Sequence, residues 1–200
     1  MKLNMVREQV DRLGRPSIEM LDREIARRER GEAYWRLTRG LFVSLLAAAA
    51  LVVIVTNLWL NVLQIDGSSM NPLLDMNDVV IAVKDGNPAK NDVIAFLRNN
   101  KLHVKRVIAT AGDRVEITDD GLVLVNGTVL SEPYVAEKSL GHCDIHFPFQ
   151  VPPGAVFVLG DNRPSSLDSR DSGFGPVERE QVVGKVIGRM WPLPRLGRVS

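Results

Sequence analysis

Three patterns of apolar and polar positions follow one another along the chain. Positions 1–39 are polar, and 18–36 combines helix formers with Glu/Arg spacings of three and four, which predicts a solvated helix. Positions 40–65 carry no charge, and 41–63 is apolar apart from Ser44, Thr56, Asn57 and Asn61. At 1.5 Å per residue, about 23 residues rise roughly 35 Å, enough for the ~30 Å hydrocarbon core of a bilayer. We read 1–39 as a cytoplasmic tail and 40–65 as one transmembrane anchor. A cleaved signal peptide is the competing reading, because four alanines at 47–50 resemble a small-residue cleavage site. The polar stretch ahead of them is too long for that, and the apolar run continues past them.

After Asp66 the apolar residues fall into short runs and a period of two. The segments 79–83, 92–98, 102–110, 114–118, 122–130, 156–159 and 182–191 read as strands. Asp119-Asp120-Gly121 and Asn126-Gly127 are hairpin turns between them. No second long helix is predicted. The expected architecture is therefore a mainly β domain over 66–200, preceded by one N-terminal transmembrane helix. Within it, 131–153 lacks periodicity and reads as an irregular insertion.

Charge orients this picture. Ten Lys/Arg and seven Asp/Glu lie in 1–39, which leaves fifteen basic and seventeen acidic residues beyond. That balance is no footprint for nucleic acid. The basic excess just before the apolar run predicts a cytoplasmic N-terminus and an extracytoplasmic β domain. Cys143 is the single cysteine, so an intramolecular disulfide is excluded and the compartment stays open.

Candidate chemistry starts with Gly67-Ser68-Ser69-Met70-Asn71-Pro72, just past the apolar run. The serines are either a turn closing a helix or a nucleophile at a membrane surface. A nucleophilic serine needs a base. His142 and His146 fall in the irregular segment, a poor place to fix geometry. Lys105 lies in the strand Leu102-His103-Val104-Lys105-Arg106-Val107-Ile108-Ala109, where alternation puts it on one face with Val107 and Ala109. Such a lysine either snorkels to water or is buried with a lowered pKa. At a pKa of ~10.4 roughly one lysine in 2,500 is neutral at pH 7; tuning it to ~7–8 makes it a usable base. Gly160-Asp161-Asn162-Arg163, followed by Ser166-Leu167-Asp168-Ser169-Arg170, offers hydroxyls to orient an amine and Asp/Arg pairs to hold a loop.

Together these boxes, with Asn91-Asp92-Val93-Ile94-Ala95-Phe96, Gly112-Asp113 and Val183-Gly184-Lys185-Val186-Ile187-Gly188-Arg189, resemble bacterial type I signal peptidase, a Ser-Lys dyad serine peptidase family. The single anchor resembles its shorter, Gram-positive-like members. The resemblance implies a signal-peptidase-like β domain with a small inserted subdomain. It implies a membrane-bound serine endopeptidase that cuts signal peptides from exported preproteins after Ala-x-Ala-like motifs, without cofactor or metal. Ser69 matches the nucleophile, its backbone N–H an oxyanion donor, Lys105 the general base and Ser166 the hydroxyl that orients the amine. Asp161, Arg163, Asp168 and Arg170 match supporting positions, and Ile65, Met70, Leu74 and Val104 match positions lining the substrate pockets. Gly67 stands where some members carry a serine that adds an oxyanion hydroxyl. The implied partners are signal peptides and the lipid bilayer.

Two alternatives share these residues: a peptidase dedicated to one exported protein, and a β domain that binds surface proteins without cutting them. His142-Cys143-Asp144-Ile145-His146 has ligand chemistry for zinc. Ligands so close in sequence do not converge easily, and we read the segment as a surface loop.

Overall fold

The charge-free run begins inside a helix that starts well before it. The computed structural model describes Met5, Gly14 and residues 18–84 and 87–199. Of the expected tail, most of 1–17 lies outside the described residues. Helix α1 runs Ile18–Trp59 and merges the predicted solvated helix with the predicted anchor. It is long and apolar enough to cross a membrane. By its contacts the chain divides into residues 1–54 and 55–200.

The helix stops at Trp59, short of the end of the charge-free run. Leu60–Gln64 forms strand β1, antiparallel to β2 (Val79–Val83), from Leu60 opposite Val83 to Gln64 opposite Val79. An uncharged segment of Leu, Val, Asn and Gln fits a helix end or a strand equally. Here a neighbouring strand edge takes up the backbone groups that a continued helix would have paired internally.

The remainder is antiparallel β. Strands β3 (Val93–Arg98), β4 (Lys101–Thr110), β5 (Arg114–Ile117), β6 (Val123–Val125), β7 (Thr128–Val129), β8 (Phe149–Gln150), β9 (Ala155–Leu159), β10 (Val177–Glu178), β11 (Val182–Trp191) and β12 (Gly197–Arg198) build two sheets. The larger has the order β1-β2-β11-β3-β4-β9-β10, with β12 beside β11; the smaller is β7-β6-β5-β8. The predicted 122–130 strand is a hairpin of β6 and β7 turning at Asn126-Gly127, both with positive φ. The insertion 131–153 is irregular apart from β8. Its Leu140, Ile145, Phe147 and Phe149 close over the core of the small sheet, around Val115, Val123 and Phe157.

Strand β4 carries the candidate base, and residues 105–109 are all buried. Alternation does not hold through it. A register shift between Val107 and Ala109 opposite β9 interrupts the pleat. Val107 therefore packs with Ile94 and Phe96, whereas Ala109 packs with Ile108 and Val115.

Candidate active site

Lys105 has nowhere to snorkel. It sits opposite Ile94 of β3 and is only 3 % exposed. Its Nζ donates to Ser166 Oγ at 3.0 Å. Burial lowers its pKa to about 8; the Asp168 and Asp161 carboxylates pull it back up and the Arg170 guanidinium pushes it down.

Three buried arginine–carboxylate pairs hold the loop that carries Ser166. Arg106 forks onto Asp161, with Nε to Oδ1 at 2.9 Å and Nη2 to Oδ2 at 2.7 Å, and stacks 3.8 Å from the centre of the Tyr134 ring. Arg163 forks onto Glu132 and donates Nε to the Gly160 carbonyl at 3.0 Å. Arg170 forks onto Asp168, at 2.8 and 2.9 Å, and also reaches the carbonyls of Leu140, Arg163 and Ser166. Asp168 in turn accepts the Gly160 N–H at 3.0 Å. These pairs fix the 160–170 loop against β4 and place Ser166 over the amine.

The same loop grips the serine segment. Asn162 donates its backbone N–H to the Ser69 carbonyl at 3.0 Å and its side-chain amide to the Ser68 carbonyl at 3.1 Å. Gly160 marks how close the two segments come. A Cβ there would lie 2.2 Å from Ser166 Oγ and 2.5 Å from the Ser69 carbonyl oxygen. A side chain at this position is incompatible with the approach.

Ser69 is half-buried and lines a shallow groove with Ile65, Gly67, Met70, His103 and Val104. Its hydroxyl and its backbone N–H make no hydrogen bond among the described residues, and Lys105 bonds Ser166 rather than Ser69. Leu74 packs behind the groove wall formed by Ile65 and Met70. It is fully buried beneath it, packed with Ile65, Met70 and Val80, because the turn that carries Leu74 N–H to the Met70 carbonyl faces inward.

The sequence named Asp161, Arg163, Asp168 and Arg170: the charges of Asp161, Asp168 and Arg170 act on Lys105, and Arg163 holds Glu132 and the Gly160 carbonyl. Glu132, Tyr134 and Asn162 were missed. The first two come from the aperiodic insertion, where only the rarity of an unpaired buried arginine could have signalled an acid. His142 and Asp144 also serve the loop. His142 Nε2 pairs with Asp171 at 3.1 Å, and Asp144 accepts the Ser172 N–H and hydroxyl, both at 2.6 Å. Among the described residues no cluster of His, Cys, Asp and Glu is arranged to hold a metal.

Comparison with known proteins adds a family. The family described as signal peptidase, peptidase S26, matches residues 38–191. Signal peptidase I of Bacillus caldolyticus is 42 % identical over 144 residues, 64 % of this chain and 78 % of that protein. Signal peptidase IB of Staphylococcus aureus strain Mu50 is 37 % identical over 171 residues, 75 % of this chain and 87 % of its own length. A crystal structure of signal peptidase I from Enterococcus faecalis V583 is 36 % identical and covers 50 % of this chain and 96 % of its own, with a TM-score of 0.43.

Proposed function

The chain belongs to the signal peptidase family, peptidase S26, and from that premise we propose that it is a membrane-anchored serine endopeptidase working through Ser69 and Lys105. Its substrates are exported preproteins cut after Ala-x-Ala-like motifs. The observation that carries the reading is the dry lysine: an amine 3 % exposed, held by Ser166 and lowered to about pKa 8, in the segment that borders the Ser69 groove.

At that pKa about a tenth of Lys105 is neutral at pH 7, roughly two-hundredfold more than of a free lysine. Neutral Lys105 takes the proton from Ser69, and Ser69 Oγ attacks the scissile carbonyl. The unengaged Ser69 N–H donates to the developing oxyanion. The lysine ammonium then protonates the leaving amine, and a water deprotonated by the same amine releases the acyl group. Lys105 and Ser69 are not hydrogen-bonded here; contacts of this kind commonly tighten only when substrate fills the cleft. Gly67 supplies no second hydroxyl.

The groove supports a substrate bound as a strand. Along 101–105, β4 pairs with β3 on one edge and has no strand on the other among the described residues, because β9 reaches only 106–110. That edge borders the groove walled by Ile65, Met70 and Val104. An added strand presents every second side chain to one face, and a shallow groove admits only small ones. Helix α1 anchors the domain in the bilayer, with the basic tail cytoplasmic and residues 66–200 outside. A substrate held in the same bilayer then meets the enzyme at raised effective concentration.

The test is preprotein cleavage in detergent, with the cut site sequenced. Wild type is expected to cut after the small-x-small motif, and Ser69→Ala and Lys105→Ala each to lose more than a thousandfold while keeping the wild-type circular dichroism. Normal turnover in either variant defeats the dyad.

A further inference from the structure

The open end of β4 has two differently furnished faces. By alternation Leu102 and Val104 face the Ser69 groove, whereas Lys101 and His103 face the other side. There they border a second open pocket of about 300 Å³, together with Arg98, Leu167 and Phe174. His103 belongs to the walls of both.

This second pocket is stiff and positively charged. The His103 ring stacks on Phe96 at 5.8 Å and meets Phe174 edge-on at 5.5 Å. The Arg98 guanidinium lies 5.0 Å from the Phe174 ring centre and donates to the Pro176 carbonyl at 3.0 Å. Lys101 is exposed at the rim. Asp171 is the one acid on the lining, and it is engaged: Oδ2 by His142 and Oδ1 by the Phe174 N–H at 2.9 Å. The His103 pKa reports the same field, held below its usual value first by burial and then by the charges of Lys105, Lys101 and Arg98.

A substrate strand on the free edge of β4 projects its side chains alternately to the two faces. If its small residues enter the Ser69 groove, the residue between them projects to the His103 face. Resting on the peptidase reading above, we propose that this pocket is a specificity site for the middle residue of the small-x-small motif. It favours glutamate, whose stem lies on Phe174 and Leu167 while its carboxylate meets Lys101 and Arg98, and it disfavours lysine and arginine.

The experiment compares kcat/KM of the full-length protein in detergent on three peptides that differ only in that residue: Ala-Glu-Ala, Ala-Gln-Ala and Ala-Lys-Ala. At low salt the glutamate peptide is expected to be cut about tenfold faster than the lysine peptide, two charge contacts of roughly threefold each. The ratio is expected to shrink towards one in 0.5 M salt, where exposed charges are screened. Lys101→Glu, at an exposed position that does not endanger folding, is expected to bring the ratio to one or invert it. Equal rates on the three peptides, or a ratio that Lys101→Glu leaves unchanged, overturn the assignment while the peptidase reading stands. No cleavage of any of them, or of a whole preprotein, overturns both.

Discussion

Arginine meets carboxylate in two settings in this chain. Along α1, Glu24 lies 3.6 Å from Arg27 and 3.5 Å from Arg28, with side chains 49 to 82 % exposed. At the 160–170 loop, the pairs Arg106–Asp161, Arg163–Glu132 and Arg170–Asp168 are each at most 1 % exposed. The exposed pairs are screened by water and add little. The buried ones are held by what their loss would leave behind, an unpaired charge out of water. At the lysine the Arg170 guanidinium opposes the pull of the Asp168 and Asp161 carboxylates, and burial is the largest influence of all. Dehydration therefore decides its pKa, which is why the amine is lowered although Asp161 and Asp168 stand close.

The contrast breaks most plainly if one partner of a buried pair is removed. Arg106→Ala or Asp161→Ala is expected to destabilise the protein by about 3–5 kcal/mol, read from urea unfolding in detergent. A loss under about 1 kcal/mol would make the buried pairs no different from those on the helix.

Lys105→Met is expected to act in the opposite direction. A drop from 10.5 to about 8 means that folding holds the amine proton more weakly than the unfolded chain does. The penalty is complete below about pH 8, fades as pH rises, and is gone above about 10.5. It amounts to about 3 kcal/mol. Losing the bond to Ser166 returns about 1 kcal/mol of that. The methionine variant is thus expected to be about 2 kcal/mol more stable at pH 7, and to lack the wild type's rise in stability between pH 8 and 10.5. Equal slopes in both proteins would show the ammonium to be solvated.

Ser166→Ala removes the amine's acceptor without touching an ion pair. It is expected to lower kcat about tenfold with little change in KM, roughly the worth of one charged hydrogen bond. The smallest effect is expected on the helix: Glu24→Gln should shift stability by less than about 0.5 kcal/mol.

Much of this arrangement was legible in the residues. The strands 79–83 and 182–191 have the expected bounds, and Lys105, Ser166, Asp161 and Asp168 converge as their boxes suggested. The failures have physical causes. Leu60–Gln64 carries no charge and sets Asn61 and Gln64 among three apolar residues, so hydropathy could not tell the end of a helix from an edge strand. Glu132 and Tyr134 meet arginines 31 and 28 positions away in sequence, and such partners emerge only once the insertion is folded over the loop.

The missing neighbour of β4 has one more consequence. A bare strand edge invites a second copy of itself. If two such edges met head to tail about His103, Lys101 of each would be laid opposite Lys105 of the other, an exposed ammonium brought over an amine already out of water. Lys101 at the mouth of the edge thus guards it against self-recognition.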